Sequence, residues 1–293
     1  MNFWADIERQ ISAVTGTRFR IERRDAVGGG CINAAWKVEG HGQRYFVKTN
    51  EADVASRFAA EAVGLRVLRS ADVIRAPDVL CVGQNDEASW VVLEYLELRL
   101  RDARCDAALG EQLAALHRVK HERYGGVDES IPSTAQPNSP SNDWSAFWRD
   151  CRLGFQLKRA RRNGYTGALQ RNGEKLLARV PQLLESQEPP ASLLHGDLWS
   201  GNAAADEHGA PVVYDPAVYY GDRETDLAMT ELFGGFSKSF YAAYRGAYPL
   251  DAGYAVRKTL YNLYHVLNHL NRFGGGYLQQ SEAMIHALLA EVR

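Results

Sequence analysis

In LLHGDLWSGN (residues 193–202) an apolar run ends on a short, glycine-punctuated polar loop that holds His195, Asp197 and Asn202. An Asp so placed can take a proton from a substrate hydroxyl, and an Asn five residues on can ligate Mg²⁺. The next polar cluster, VVYDPAVYYGDRETD (residues 212–226), repeats the pattern, with Asp215 directly after a second apolar run. That brings another carboxylate near the first, as a hard divalent cation requires. Turns and caps also favour Asp and Asn, yet two such loops in this order point to phosphoryl transfer.

Two upstream features fit the same chemistry. VGGGCIN (residues 27–33) is a Gly-rich turn between strand-like runs, where backbone without Cβ can approach phosphates and aim N–H groups at them. An ordinary hairpin turn reads the same way, and the absence of GK[ST] after it excludes a Walker A loop. FVK (residues 46–48) places Lys48 in the third strand-like run. Glu61 follows on the apolar stripe of the next helix, with Phe58, Leu65 and Leu68. A carboxylate there is costly to desolvate unless a cation meets it. A Lys48–Glu61 pair would satisfy both groups and aim the ammonium at phosphates.

Elements can be placed around these motifs. Phe3, Ile7, Ile11 and Val14 have helical spacing. RFRIERRDAV, INAAWKVEG and RYFVKTN read as antiparallel strands separated by glycine turns. Residues 53–70 read as a helix, and PDVLCVG and SWVVLEYLEL as two more strands. Beyond residue 98 the pattern is mainly helical. Leu109, Leu113 and Leu116 share a face, and helices are expected around 144–160, 168–186 and from Arg223 onward. Residues 125–143, rich in Pro and Ser, read either as a linker or as a functional loop. The fold class expected is therefore α+β and bilobal, with residues 1–97 forming a small antiparallel-sheet lobe and 98–293 a larger helical one.

Composition bounds the partners. Of 293 residues, 45% are hydrophobic and 24% charged, which excludes wholesale disorder. Lys and Arg total 34 against 36 Asp and Glu, so no strongly basic nucleic-acid footprint is expected. No apolar run is long enough to span a bilayer, and MNFWADIERQ lacks the apolar stretch of a signal peptide. The four cysteines form no CxxC pair, against a zinc cage or disulfide framework. A cytoplasmic protein is expected, and its oligomeric state is not legible.

Taken together, GGGCIN, HGDLWSGN, DPAVYYGDRETDLAM, ELFGGF, LYHVLNHLNRFGGGY and QPN…DW near residues 136–144 resemble the fructosamine/ketosamine-3-kinase family. These are small-molecule phosphotransferases of protein-kinase-like fold, and the resemblance runs along essentially the full chain. It implies ATP and Mg²⁺ as cofactors. Gly28, Gly29, Gly30, Cys31 and Asn33 would cover the nucleotide phosphates, Lys48 would bind them and Glu61 would hold Lys48. Glu94 and Leu96 would lie in the adenine-binding hinge. Asp197 would be the catalytic base, Asn202 and Asp215 the metal ligands, and His195 and Asp226 the support of the catalytic loop. Pro216 after Asp215 departs from the protein-kinase pattern and is stiff, so no in/out switching of Asp215 is expected.

The acceptor implied is the 3-hydroxyl of a ketosamine, free or protein-bound, whose phosphorylation would lead to deglycation. Trp199, Asp222, Glu224, His265 and His269 are the candidate substrate contacts. Each has a plainer reading: a core or stacking Trp199, a solvated turn at 222–224, and for His265 and His269 either a buried network or a metal pair. Two other functions compete. Aminoglycoside or choline kinases favour acidic residues or aromatic cages for cations, against the neutral Tyr/His/Asn helix at 261–271. A pseudokinase would lack Lys48, Asp197 or Asp215, and all three are present. Cys31, in the Gly-rich turn beside backbone N–H groups, is also read as a redox-sensitive thiol.

Overall fold

The computed structural model describes residues 2–28, 33–126, 136–184 and 188–292. Helix α1 (Phe3–Thr15) starts at Asn2, whose side chain accepts from the Trp4 N–H, and stops at the left-handed Gly16. Ile7 and Ile11 are buried as their spacing predicts, whereas Val14 is 56% exposed.

Three strands follow, β1 (Arg23–Ala26), β2 (Ala34–Gly40) and β3 (Gln43–Asn50), then α2 (Ala55–Ser70), β4 (Val79–Gln84) and β5 (Ser89–Glu94). All pair antiparallel in the order β1-β2-β3-β5-β4. The expected strand–strand–strand–helix–strand–strand order is thus present, with β1 shorter than its sequence run. β5 is enclosed on both faces. Trp90 and Val92 join Ile7, Ile11, Phe19, Val38 and Val47 under α1. Val91 and Leu93 join Phe58, Leu65 and Leu68 of α2. This double burial is why SWVVLE reads as an unbroken apolar run instead of alternating.

The second lobe begins with α3 (Ala103–Leu116), capped by Asp102, and the short β6 (Lys120–His121). The expected helix at 144–160 is interrupted: α4 (Trp144–Phe147) passes through a π-helical stretch, Trp148–Gly154, into α5 (Phe155–Arg162). The wide turn carries Arg152 into the interior. α6 (Ala168–Leu184) and β7 (Ala191–Leu194) lead to the polar loop. A 3₁₀ turn (Ser200–Asn202), then β8 (Ala203–Ala205), β9 (Pro211–Val213) and β10 (Tyr219–Gly221), surround it. Four helices complete the lobe: α7 (Glu224–Leu232), α8 (Lys238–Ala247), α9 (Tyr254–Phe273) and α10 (Gly276–Glu291).

Leu260, Leu263, Leu267 and Leu270 form the predicted stripe of α9 and are buried with Trp144, Trp148, Leu157 and Ile285. One core runs through both lobes, from Phe58 and Val91 to Leu109, Leu193, Val213 and Phe240. The loop after β7 and the strand carrying Lys48 are therefore built on connected hydrophobic packing. Among the described residues no helix is long and apolar enough to cross a membrane.

Candidate active site

The polar loop is held from behind by one buried carboxylate. Asp226, in the first turn of α7, accepts the His195 N–H at 2.7 Å on Oδ2 and the Gly196 N–H at 2.8 Å on Oδ1. Its Oδ2 also lies 3.2 Å from His117 Nε2, and His117 Nδ1 lies 2.8 Å from the Tyr244 hydroxyl. Burial opposes this charge, but hydrogen bonding to His117 and to the loop N–H groups holds Asp226 below the usual carboxylate range. The support role expected for Asp226 is what the geometry delivers. His117 is part of the same chain of bonds.

His195 is fully enclosed, and burial keeps it neutral by pulling its pKa down. Its Nδ1 accepts the Asp197 N–H at 3.3 Å, so Nε2 carries the proton and donates to the Tyr214 carbonyl at 3.1 Å. Gly196 between them has φ +82°, and a Cβ there would lie 2.0 Å from the Ala217 carbonyl oxygen. The HGD spacing thus records a backbone crossing, with β7 on one side and the segment after Asp215 on the other.

Asp197 and Asn202 face each other across the 3₁₀ turn. Asn202 Nδ2 donates to the Asp197 carbonyl at 2.9 Å and approaches its carboxylate Oδ2 at 3.3 Å. With the amide nitrogen so committed, Asn202 Oδ1 points the other way as a hard oxygen donor. Asp215 is one of three non-glycine residues at positive φ among the described residues, at +56°. This strained backbone turns its carboxylate, 43% exposed at the side chain, into the cleft. Burial pushes Asp197 up to about 7, with Arg272 the main opposing charge.

Lys48 reaches this cluster from β3. Its Nζ donates to Glu61 Oε1 at 2.6 Å and contacts Asp215 Oδ1. Lys48 and Glu61 are 7% and 13% exposed at the side chain, so each is costly to leave alone. Desolvation disfavours the Lys48 charge, but Glu61 and Asp215 outweigh it and hold the ammonium charged. We expect Lys48→Ala and Glu61→Ala to be strongly non-additive in kcat/KM, since either one breaks the same pair. A double-mutant cycle checks this; additive losses would assign them separate roles.

The nucleotide side is partly described. Gly28 and Asn33 flank the Gly-rich turn, and Asn33 Oδ1 accepts from Asn50 Nδ2 at 2.7 Å. Gly29, Gly30 and Cys31 lie outside the described residues, and so does the redox reading of Cys31. Glu94 ends β5, where its N–H donates to the Asp78 carbonyl at 2.8 Å and its carboxylate pairs with Arg75. Leu96 is half-buried in the following connection to the second lobe.

On the acceptor side Asp222 and Glu224 are not a solvated turn: both are buried, each with internal partners. Asp222 accepts the Tyr261 hydroxyl at 2.6 Å and the Glu224 N–H at 3.0 Å. Glu224 forms a two-pronged pair with Arg257 at 2.7 and 2.9 Å, nearly inaccessible to solvent. Their hydrophilic run, GDRETD, turns inward because α9 brings Tyr261 and Arg257 over it.

His265 and His269 lie one turn apart on α9. Burial, then the like charge of His269, takes His265 down to about 3, so it is a neutral hydrogen-bonding group. His269 Nδ1 lies 2.8 Å from the His265 carbonyl, and its ring packs on Phe233, Phe273 and Tyr277. Among the described residues no three His, Cys, Asp or Glu side chains cluster so as to hold a metal ion. Trp199 is 38% exposed on the loop itself, as a stacking residue would be.

Two arginines were not legible as site residues. Arg101 Nε pairs with Asp106 at 2.7 Å, while its other nitrogens donate to the carbonyls of Ser200 at 3.1 Å, Ala203, and Gly235 at 2.9 Å. It ties the 3₁₀ turn to the ELFGGF segment. Arg152, from the π-helical stretch, donates to the Pro137 carbonyl and Asn138 Oδ1 at 2.8 and 2.7 Å and lies over the Tyr219 ring at 4.2 Å. It thereby anchors the QPN motif. A lone Arg in a polar stretch carries no spacing signal, so only tertiary contacts reveal either role.

Comparison with known proteins agrees with this geometry. A profile described as fructosamine kinase matches residues 3–291. The chain belongs to the fructosamine kinase family. A Synechocystis protein named probable ketoamine kinase is 44% identical over 98% of this chain and 97% of its own length. An Arabidopsis thaliana protein-ribulosamine 3-kinase, chloroplastic, is 39% identical over 92% of this chain and 83% of its own. A Haemophilus somnus crystal structure assigned as a fructosamine-3-kinase superposes with TM-score 0.89 at 29% identity, covering 98% of this chain and all of that one. An aminoglycoside phosphotransferase shares the fold alone, at TM-score 0.65 and 15% identity. The kinase assignment and the protein-kinase-like bilobal fold both follow.

Proposed function

We propose that this family member transfers the γ-phosphoryl group of ATP to the 3-hydroxyl of ketosamines, free or protein-bound, in the cytoplasm. The phosphorylated adduct is labile, so the outcome is deglycation. The observation that carries the reading is the convergence of Lys48–Glu61, Asp197, Asn202 and Asp215 in one cleft, in a chain whose relatives are named for ketoamine and ribulosamine substrates.

Lys48, oriented by Glu61, binds the nucleotide phosphates, and Asp197 orients the acceptor hydroxyl and takes its proton. Asn202 Oδ1 and Asp215 suit Mg²⁺, a hard cation that takes one or two protein oxygens and completes its shell with phosphate and water. Bound there, Mg²⁺ supplies charge neutralisation for the transferring group. Gly28 to Asn33 cover the phosphates and Glu94 to Leu96 meet the adenine.

An acceptor rich in hydroxyls, not in cationic charge, fits the α9 wall. His265 is held neutral, and the acids that could have drawn a polycation, Asp222 and Glu224, are consumed in internal pairs. This favours ketosamines over aminoglycosides or choline. ATP turnover measured with ribulosamine, erythrulosamine, fructosamine, an aminoglycoside and choline tests the choice, with the phosphorylated carbon located by NMR. Turnover of an aminoglycoside or choline in preference to every ketosamine would overturn it.

A further inference from the structure

Most buried arginines of the second lobe are committed: Arg101 to Asp106 and three carbonyls, Arg152 to the QPN motif, Arg257 to Glu224. Three other arginines, more open to solvent and one of them in the first lobe, are not. Among the described residues Arg57, Arg159 and Arg272 have no side-chain hydrogen bond and no ion pair. An unpaired surface arginine is ordinary; what distinguishes these is where they meet.

Arg272 closes the polar face of α9. Tyr261, His265, Asn268, His269 and Arg272 fall within one narrow sector of the helix, so the face that begins at buried Tyr261 ends at the exposed Arg272. Arg159 is brought to the same point by α5. Asn271 donates to the Gln156 carbonyl and Oε1 at 2.9 and 2.8 Å, and Asn163 donates to Asn271 Oδ1 at 3.0 Å. Gln156 and Asn163 flank Arg159 on one face of α5, so its side chain issues beside Asn271 and Arg272. Arg57, from α2, acts on Arg272 from the opposite lobe. Desolvation, with Arg57 and Arg159 adding like charge, pulls Arg272 below the ordinary arginine range, and Asp197 is the main charge acting the other way. Arg272 is likewise the main charge that opposes burial at Asp197.

Arg159 and Arg272 thus issue side by side at the end of the polar α9 face, within electrostatic reach of Arg57 and of Asp197, and none of the three guanidinium groups has an ion-pair partner among the described residues. We propose that Arg272 and Arg159, with Arg57 across the cleft, form an anion-recognising subsite that selects ketosamines bearing a carboxylate or phosphate group. The inference rests on the ketosamine-kinase reading and narrows its substrate class. Guanidinium is suited to this task because its planar fork matches carboxylate and phosphate oxygens in pairs. The anion could sit on the amine part, as in an adduct of a free amino acid, or on the sugar, as a terminal phosphate.

Two matched acceptor pairs separate these sources. Ribulosylglycine is compared with ribulosylglycinamide, and a ribulosamine of a neutral amine is compared with and without a 5-phosphate. In each case kcat/KM is measured for wild type, Arg272→Gln, Arg159→Gln and Arg272→Lys. For a charge-assisted contact we expect wild type to prefer the anionic member of one pair by roughly ten- to a hundred-fold. That preference should shrink to about threefold or less in the Gln variants and partly return in Arg272→Lys, which keeps the charge but loses the fork. Preference in the first pair assigns the amine side, preference in the second the sugar side. No preference in either pair, with good turnover of the neutral acceptors, overturns the subsite and leaves the kinase reading standing. Equal losses on both members in Arg272→Gln also overturn it, because the arginine would then act on the transferred phosphoryl group. Failure of wild type to turn over any of the four acceptors overturns both readings together.

Discussion

Asp197→Asn is expected to lower kcat by roughly 10²-fold or more while leaving Mg·ATP affinity nearly unchanged. The amide keeps the size and the neighbourhood of Asn202 but cannot take the acceptor proton. Stability should not fall with activity. Burial raises the Asp197 carboxyl from its ordinary value of 3.8 to about 7, so in the folded protein the ionised form is disfavoured relative to the unfolded chain. A raised carboxylate pKa means that stability declines as pH rises from the ordinary value through the raised one. A neutral isostere removes that penalty, and the melting temperature at pH 7.5 should hold or rise. Asp215→Asn is the contrast: a charged hard-oxygen ligand is lost, so Mg·ATP binding weakens along with turnover. Calorimetry of Mg·ATP binding beside ketosamine turnover and thermal melts makes the comparison. Near-normal turnover in Asp197→Asn, or wild-type Mg·ATP affinity in Asp215→Asn, would show that the roles are assigned wrongly.

Gly196→Ala should be a severely damaging single-methyl change. Two costs combine: a non-glycine residue at φ +82°, and a Cβ placed 2.0 Å from the Ala217 carbonyl oxygen. Backbone strain and overpacking together cost on the order of 3 kcal/mol or more, a large share of a typical domain's stability. Because Gly196 sits between His195 and Asp197, relief of the clash must move the base, and kcat should fall even in molecules that remain folded. Gly164→Ala is the control. Its φ is +89°, but a Cβ there meets nothing within 4 Å, so only the strain term applies, about 1–2 kcal/mol. Urea unfolding of both variants separates the terms. Equal losses would mean that the crossing of the two segments yields easily and does not position Asp197.

The sequence by itself determined the order of elements and the chemistry. Period-2 runs, the stripe of α2 and the leucine stripe of α9 depend on local geometry alone, so they were legible without any partner. The candidate site was legible in part, because Lys48, Asp197, Asn202 and Asp215 follow apolar runs and Glu61 lies on the apolar stripe of α2, whereas the support role of Asp226 came only from the family resemblance. Tertiary structure decided the rest. Whether GDRETD is a solvated turn or an internal network depends on α9 laying Tyr261 and Arg257 across Asp222 and Glu224, and no periodicity encodes a neighbour that distant. The interruption of α4 and α5 by a π-helical stretch, which turns Arg152 inward, left no trace in residue spacing. His117 became part of the catalytic support only once Asp226 and Tyr244 closed around it. Burial is a property of the assembled core, and a charged residue acquires its role from the partner that meets it there.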